Sequence, residues 1–313
     1  MISNLFFDLL GQFKAKELLL SSLSCRKIAP AYLFYGPKGV GRTIGVLRFL
    51  EGVLSGVDGN ISLRRRLAEH SYPDMLWIEP TYQVQGQLVL ASHLDVSNRV
   101  FPQIRISQVR EALEFLAKQP IEGSHTILVI EDSDLMSEGA SNALLKTLEE
   151  PDHSIILLIT EMPEKIITTI RSRCQQIPFV SLDPETFHQV LDLKIKTKKK
   201  HPPELFNLAA GSPGILLYHF KQWHSLPKEI PQRFLNLKQS SIEILLLAND
   251  LYEVLNYSQQ IWLLNWWQWQ LWNKYFSVKQ QTQLEVLRNQ LISQVNSRLA
   301  WEVALLEIRS TLT

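Results

Sequence analysis

The chain has 313 residues, 45% of them hydrophobic and 20% charged, which excludes a mainly disordered chain and leaves room for two or three domains at about 150 residues each. Its 32 Lys and Arg against 31 Asp and Glu give a net charge of +1, which excludes a protein that coats DNA alone through a broad basic surface, though not a subunit sharing a DNA-binding channel. Two cysteines, Cys25 and Cys174, cannot build a four-thiolate zinc site or a disulfide framework, and free thiols fit a reducing cytoplasm.

The N-terminal stretch has no basic segment ahead of an apolar run, so no signal peptide is expected. Short continuous apolar runs then recur at Ala31–Tyr35, Met75–Glu79, Thr126–Ile130 and Ile155–Thr160, with a weaker one at Gln175–Phe179. Runs of this length suit strands covered on both faces. Between them, Ser107–Lys118 carries a helical repeat, and Ser137 can cap a helix whose inner stripe is Ala140, Ala143, Leu144, Thr147 and Leu148, ended by Pro151. Glu164–Arg171 also reads as helical, and Tyr82–Pro102, without a clear period, as an insertion loop. Alternating strand and helix predicts an α/β fold with a parallel sheet and right-handed crossovers.

After Phe179 the pattern turns helical. Pro184–Leu193 and Pro203–Ala210 flank the basic run Lys194–His201, read as a solvated loop or a phosphate contact. Gly211–Gly214 forms a turn, Ile215–Trp223 restarts a helix, and from Pro227 onward only helices are expected. The uncharged stretch Val254–Asn273 is interrupted by Asn and Gln, so no transmembrane helix is expected. Within it Trp262, Trp266, Trp267, Trp269 and Trp272 crowd one helix, either as an inner helix of its domain or as an interface covered by a neighbouring chain; the interface reading, at Trp262, Trp266 and Trp269, is taken. The eight His residues show no metal-ligand spacing, and no metal is assigned.

Three motifs could carry chemistry. Gly36-Pro-Lys-Gly-Val-Gly-Arg-Thr43 follows a strand and opens a helix, the setting of a phosphate-binding loop. Gly36, Gly39 and Gly41 let the backbone curl, and Thr43 keeps the hydroxyl that would meet Mg²⁺, but Arg42 stands where a working loop has Lys. The strand end Glu131-Asp132 has the two carboxylates of a metal-and-water site in swapped order, and positioning errors of about 1 Å can cost on the order of 10²-fold in rate. Ser172-Arg173-Cys174 places an Arg where it could reach a phosphate on another subunit, against the plainer reading of a surface ion pair.

Gly11-Gln12, Ala31–Gly41, Ser141-Asn-Ala-Leu-Leu-Lys-Thr-Leu-Glu-Glu-Pro151 and Ile170-Arg-Ser-Arg-Cys174 together resemble the bacterial DNA polymerase III clamp-loader AAA+ family, which includes the gamma/tau and delta-prime subunits. The resemblance implies a nucleotide-binding-like AAA+ domain at 1–180, a helical lid at 181–225 and an all-α collar domain at 226–313. Within the family the motor subunits carry Lys in the loop, Asp-Glu on the strand and Arg in the lid. Arg42, Glu131-Asp132 and Gly214 depart from all three, while Ser172-Arg173-Cys174 is intact, a combination similar to the delta-prime branch. The zinc module of many relatives has no cysteines here, in Val53–Tyr72.

The implied role is a non-motor stator, without ATPase activity of its own, in a cytoplasmic ring with gamma/tau and delta subunits. It would present Arg173 to a neighbour's ATP while the ring loads a sliding clamp on primed DNA. No cofactor is required on this reading, and weak ATP or ADP binding at the loop stays open. An active motor ATPase is the main rival, and an archaeal-type replication factor small subunit a lesser one.

Overall fold

Strand sequences that are apolar on both faces need cover on both faces, and the computed structural model, which describes residues 4–84, 86–91, 101–150, 153–194, 201–235, 240–293 and 296–312, provides it. The strands are β1 (Ala31–Tyr35), β2 (Met75–Ile78), β3 (Thr81–Val84), β4 (Gln87–Leu90), β5 (Thr126–Ile130), β6 (Ser154–Thr160) and β7 (Gln175–Pro178). Five of them form one parallel sheet in the order β2-β5-β6-β1-β7. Every residue of β5 and β6, which lie inside the sheet, is buried.

The helices are α1 (Phe13–Ser24), α2 (Arg42–Ser55), α3 (Ile61–Ala68), α4 (Ile106–Leu116), α5 (Glu138–Glu149), α6 (Thr168–Arg171), α7 (Pro184–Lys194), α8 (Glu204–Leu208), α9 (Pro213–Ser225), α10 (Glu229–Leu235), α11 (Ser241–Val254), α12 (Tyr257–Tyr275), α13 (Val278–Ile292) and α14 (Ser297–Leu312). Because strand side chains alternate, Tyr32 and Phe34 join Val46, Phe49 and Leu50 of α2 in one core layer, while Ala31 and Leu33 join Val109, Ala112, Ala140 and Leu144 of α4 and α5 in the other. Ser137 caps α5 as expected, its side chain accepting from the Ala140 N–H at 3.2 Å. Pro151, expected to end that helix, and residues 195–200 of the basic run lie outside the described residues.

The described residues of 1–94, 101–200 and 209–215 pack as one unit, and those of 201–208 and 216–313 as a second, built of helices. Three local readings change, one being that α9 starts at Pro213, inside the expected turn Gly211–Gly214. Thr81–Val84 and Gln87–Leu90 form an antiparallel hairpin inside the expected insertion loop, whose residues 92–100 are not described. Glu164–Arg171 is not one helix: a 3-10 turn at Pro163–Lys165 precedes the single-turn α6. Among the described residues no helix is long and apolar enough to cross a membrane, and no cluster of three or more His, Cys, Asp or Glu could hold a metal ion.

Charged groups staple the first unit. The fully buried Glu51 carboxylate accepts from Arg64 Nε at 2.8 Å, Arg64 Nη2 at 3.0 Å, Arg48 Nη1 at 3.3 Å and the Asn60 N–H at 2.8 Å. Arg48 also binds Asp8, at 2.7 Å from Nη2. Buried Asp74 accepts three backbone N–H groups, from Ile121, Glu122 and Gly123, at 2.6–2.8 Å.

Burial pushes the Asp74 carboxyl up, but those N–H groups outweigh it and hold the group below the ordinary 3.8. Asp8 is likewise raised by burial and lowered further by its hydrogen bond to, and the charge of, Arg48. A depressed carboxylate stabilises the fold fully above its unfolded value and loses that contribution as pH falls through its folded value. Urea stability of the first unit should therefore fall steeply below about pH 4. Asp74→Asn should be less stable at pH 7 and show a shallower acid decline in urea titrations from pH 7 to pH 2.5; a decline as steep as the parent's would exclude Asp74 as a source.

Candidate functional site

Leaving β1, the chain turns through Gly36–Gly41 and enters α2 at Arg42. Gly39 has φ +75° and lies directly against Ser212 and the first turn of α9 at Gly214. The Gly214 N–H donates to the Gly39 carbonyl at 3.0 Å, and Ser212 Oγ donates to the Lys38 carbonyl at 2.6 Å. A Cβ added to Gly214 would lie 2.6 Å from Gly39 Cα, and one added to Gly39 would lie 2.7 Å from Gly214 Cα. Backbone meets backbone here, so a side chain at either position requires the turn to shift.

Arg42 is only 5% exposed, and its Nη1 has no hydrogen-bond partner. Burial pushes its guanidinium below the ordinary value, and the carboxylates of Asp132, Glu161, Glu131 and Asp134 pull it back. Glu131 and Asp132 follow β5, where Lys38 of the loop reaches Asp132, and each is engaged. Lys38 Nζ lies 3.4 Å from Asp132 Oδ2, and Trp77 Nε1 donates to Glu131 Oε2 at 3.1 Å. Burial raises the Glu131 carboxyl above its usual range, with Asp132 and Glu79 adding to the rise against the Trp77 hydrogen bond and Lys38. Asp134 accepts from Thr160 Oγ1 at 2.7 Å.

Two contributors were given no site role from the sequence, although Gln12 stands in the Gly11-Gln12 motif. Trp77 reads there as an ordinary strand apolar, and only the β2–β5 pairing, Trp77 against Val129, brings its indole to Glu131. Gln12 is 1% exposed and clamps the loop to the exit of β7. Its side chain donates to the carbonyls of Val40 at 3.3 Å and Val180 at 2.7 Å and accepts from the Val180 N–H at 3.1 Å.

Arg173 is not part of this cluster. It precedes β7, which runs parallel to β1 with Gln175 level with Tyr32, whereas the loop follows the far end of β1. The two therefore lie at opposite ends of the sheet, and Arg173 cannot serve the chain's own loop. Its Nη2 donates to Glu149 Oε1 at 2.8 Å and its Nη1 to the Thr169 carbonyl at 2.9 Å, with 36% of the side chain exposed. Ser172 is exposed, its Oγ donating to the same carbonyl at 3.1 Å. Cys174 is buried, which pushes its thiol up to about 12.

The tryptophan expectation is corrected. Trp262 and Trp266 are 3% and 2% exposed, inside the second unit. Trp262 Nε1 bonds His219 Nδ1 at 2.8 Å, and Trp266 packs on Trp223 at 5.6 Å between ring centroids. A helix apolar almost all round is covered here by its own unit, so these two are core. Trp269 is half-buried and Trp272 is 42% exposed.

A family model described as DNA polymerase III, delta subunit, matches residues 11–183. A second, described as cyanobacterial DNA polymerase III delta prime, C-terminal domain, matches residues 185–308. The chain is a delta-prime-like member of the DNA polymerase III clamp-loader family. Within that family it is 29% identical to DNA polymerase III subunit delta' of Bacillus subtilis over 58% of this chain and 51% of that protein. It is 31% identical to subunit tau of Escherichia coli K12 over 66% of this chain. The match spans 30% of that tau protein's length. The crystal structure of a gamma subunit-related protein from Thermotoga maritima shares the fold, with TM-score 0.51 and 16% identity over 93% of this chain and 98% of that one.

Proposed function

We propose that this chain is a non-motor, delta-prime-type subunit of a DNA polymerase III clamp loader. It would sit in a cytoplasmic ring beside gamma/tau and delta subunits and supply Arg173 to a neighbour's ATP while the ring places a sliding clamp on primed DNA. The observation that carries the non-motor reading is the state of its own loop. Arg42 is buried among four carboxylates, Lys38 bridges to Asp132, and the turn at Gly214 is hydrogen-bonded onto Gly39. Those residues fit a magnesium-bound nucleotide poorly. Arg42 is buried and forked where a compact ammonium would serve, the swapped Glu131 and Asp132 are engaged by Trp77 and Lys38, and Gly214 offers no cation to a phosphate. No catalytic step is therefore assigned to the loop.

Support for the trans role is the placement of Arg173 at the other end of the sheet, partly exposed. Charge grows on the transferring phosphoryl oxygens, and a guanidinium fork suits them. The likeness to tau sequences favours a motor reading instead, and ATP turnover separates the two. The purified chain should show no hydrolysis above background, with or without primed DNA. Steady turnover that is lost in Thr43→Ala would establish a motor and overturn the proposal.

A further inference from the structure

Arg173 does not stand free in the structure. Its guanidinium is held between two elements, by Glu149 at the last residue of α5 and by the Thr169 carbonyl in α6. Glu149 is an unfavourable choice for its local position, because the carbonyl end of a helix is partly negative and favours cations. With Glu150 beside it, two carboxylates close this helix. The pair with Arg173 is exposed, at 36% and 54%, so it adds little to the stability of the fold. A residue that breaks a local rule for little stability points to a functional constraint.

We infer that Glu149 is a positioning residue that holds the Arg173 guanidinium in reserve and yields it to phosphate when a neighbouring ATP site closes on it. The inference rests on the trans role of Arg173 proposed above. Two consequences follow from the geometry. An Arg fixed at two points has already lost much of its rotamer freedom, so less ordering remains when it engages phosphate. A carboxylate 2.8 Å from Nη2 also neutralises the guanidinium and repels an approaching phosphate until it is displaced. Phosphate oxygens carry more charge than one carboxylate and accept the fork in a bidentate manner, so the exchange favours phosphate once the ring brings it within reach. Glu149 thereby suppresses hydrolysis in a ring that has not yet engaged clamp and DNA.

The test is ATP hydrolysis by the complex reconstituted with gamma/tau and delta subunits, with incorporation verified by sedimentation. Glu149→Gln keeps the shape and removes the charge. It should raise hydrolysis in the absence of clamp and DNA by about two- to fivefold, the change expected for an exposed ion pair, and lower the ATP concentration for half-saturation. Glu149→Asp, one methylene short, should fall between the two. In an Arg173→Ala background Glu149→Gln should change nothing, which a merely structural role would not produce. Unchanged or slower basal hydrolysis in Glu149→Gln, or an effect that persists without Arg173, overturns the holding role. If Arg173→Ala alone leaves pre-steady-state phosphate release at the wild-type rate, the trans reading itself fails and this inference with it.

Discussion

Replacing Arg173 by alanine should leave the chain folded and assembled while slowing ATP hydrolysis at one neighbouring site by on the order of 10³–10⁵. The side chain is 36% exposed and its partners are an exposed carboxylate and a backbone carbonyl, so its removal costs the fold at most about 1 kcal/mol. The loss on the neighbour's side is larger because a guanidinium delivered at the transition state acts on charge that develops only there. Steady-state rates would understate it, since other sites in a ring have their own donors. Pre-steady-state phosphate release isolates the affected turnover. Arg173→Lys should restore only part, because a point charge lacks the planar fork. Wild-type phosphate release from a fully incorporated alanine variant would make Arg173 an ordinary surface residue.

The second large effect is on stability. Glu51→Ala should destabilise the first unit by about 3 kcal/mol, the low end for breaking a buried ion pair, because Arg48 and Arg64 retain some water contact. Arg48 keeps Asp8, but Arg64 loses its carboxylate and the Asn60 N–H loses its acceptor. Glu51→Gln, which keeps an acceptor and the shape, should cost less. Seven of the eight tryptophans lie after residue 215 in the second unit, so total fluorescence is a poor probe of this change. Cys174 is a better one. Buried in the first unit with its thiol pushed up to about 12, it should react with thiol reagents only when that unit opens, and exposed Cys25 supplies the internal reference. A Cys174 opening rate within twofold of wild type in Glu51→Ala would show that the four-residue charge network contributes little.

The sheet was legible because its strands are apolar on both faces; even the weak run at Gln175–Phe179 takes its place at the edge, paired with β1. The Ser137 cap was legible because capping is local chemistry. The hairpin at Thr81–Leu90 was not, since two strands of four residues with mixed polarity carry too few positions to establish a period of two. At the loop, the sequence exposes the substitutions Arg42, Glu131-Asp132 and Gly214 one by one. It does not show that Trp77 takes up one carboxylate and Lys38 the other, because those contacts depend on strand order and on residues 54 and 94 positions apart. The tryptophans of α12 illustrate the opposite error. Composition alone cannot separate a core from an interface, and Trp223, Phe234 and Trp301 supply the partners that settle it for Trp262, Trp266 and Trp267.

The contact between Gly39 and Gly214 also bears on the direction of evolutionary change. A side chain at 214 would have its Cβ 2.6 Å from Gly39 Cα, so an arginine cannot be introduced there while the turn keeps its present seat. Restoring Lys at 42 would correct one position and leave the turn hydrogen-bonded across the loop. Neither change alone removes the other obstacle, and an arginine at 214 first strains the backbone. On the proposed non-motor reading, a chain built this way would have to acquire several changes together to gain a working phosphate site, so the contact would act as a ratchet.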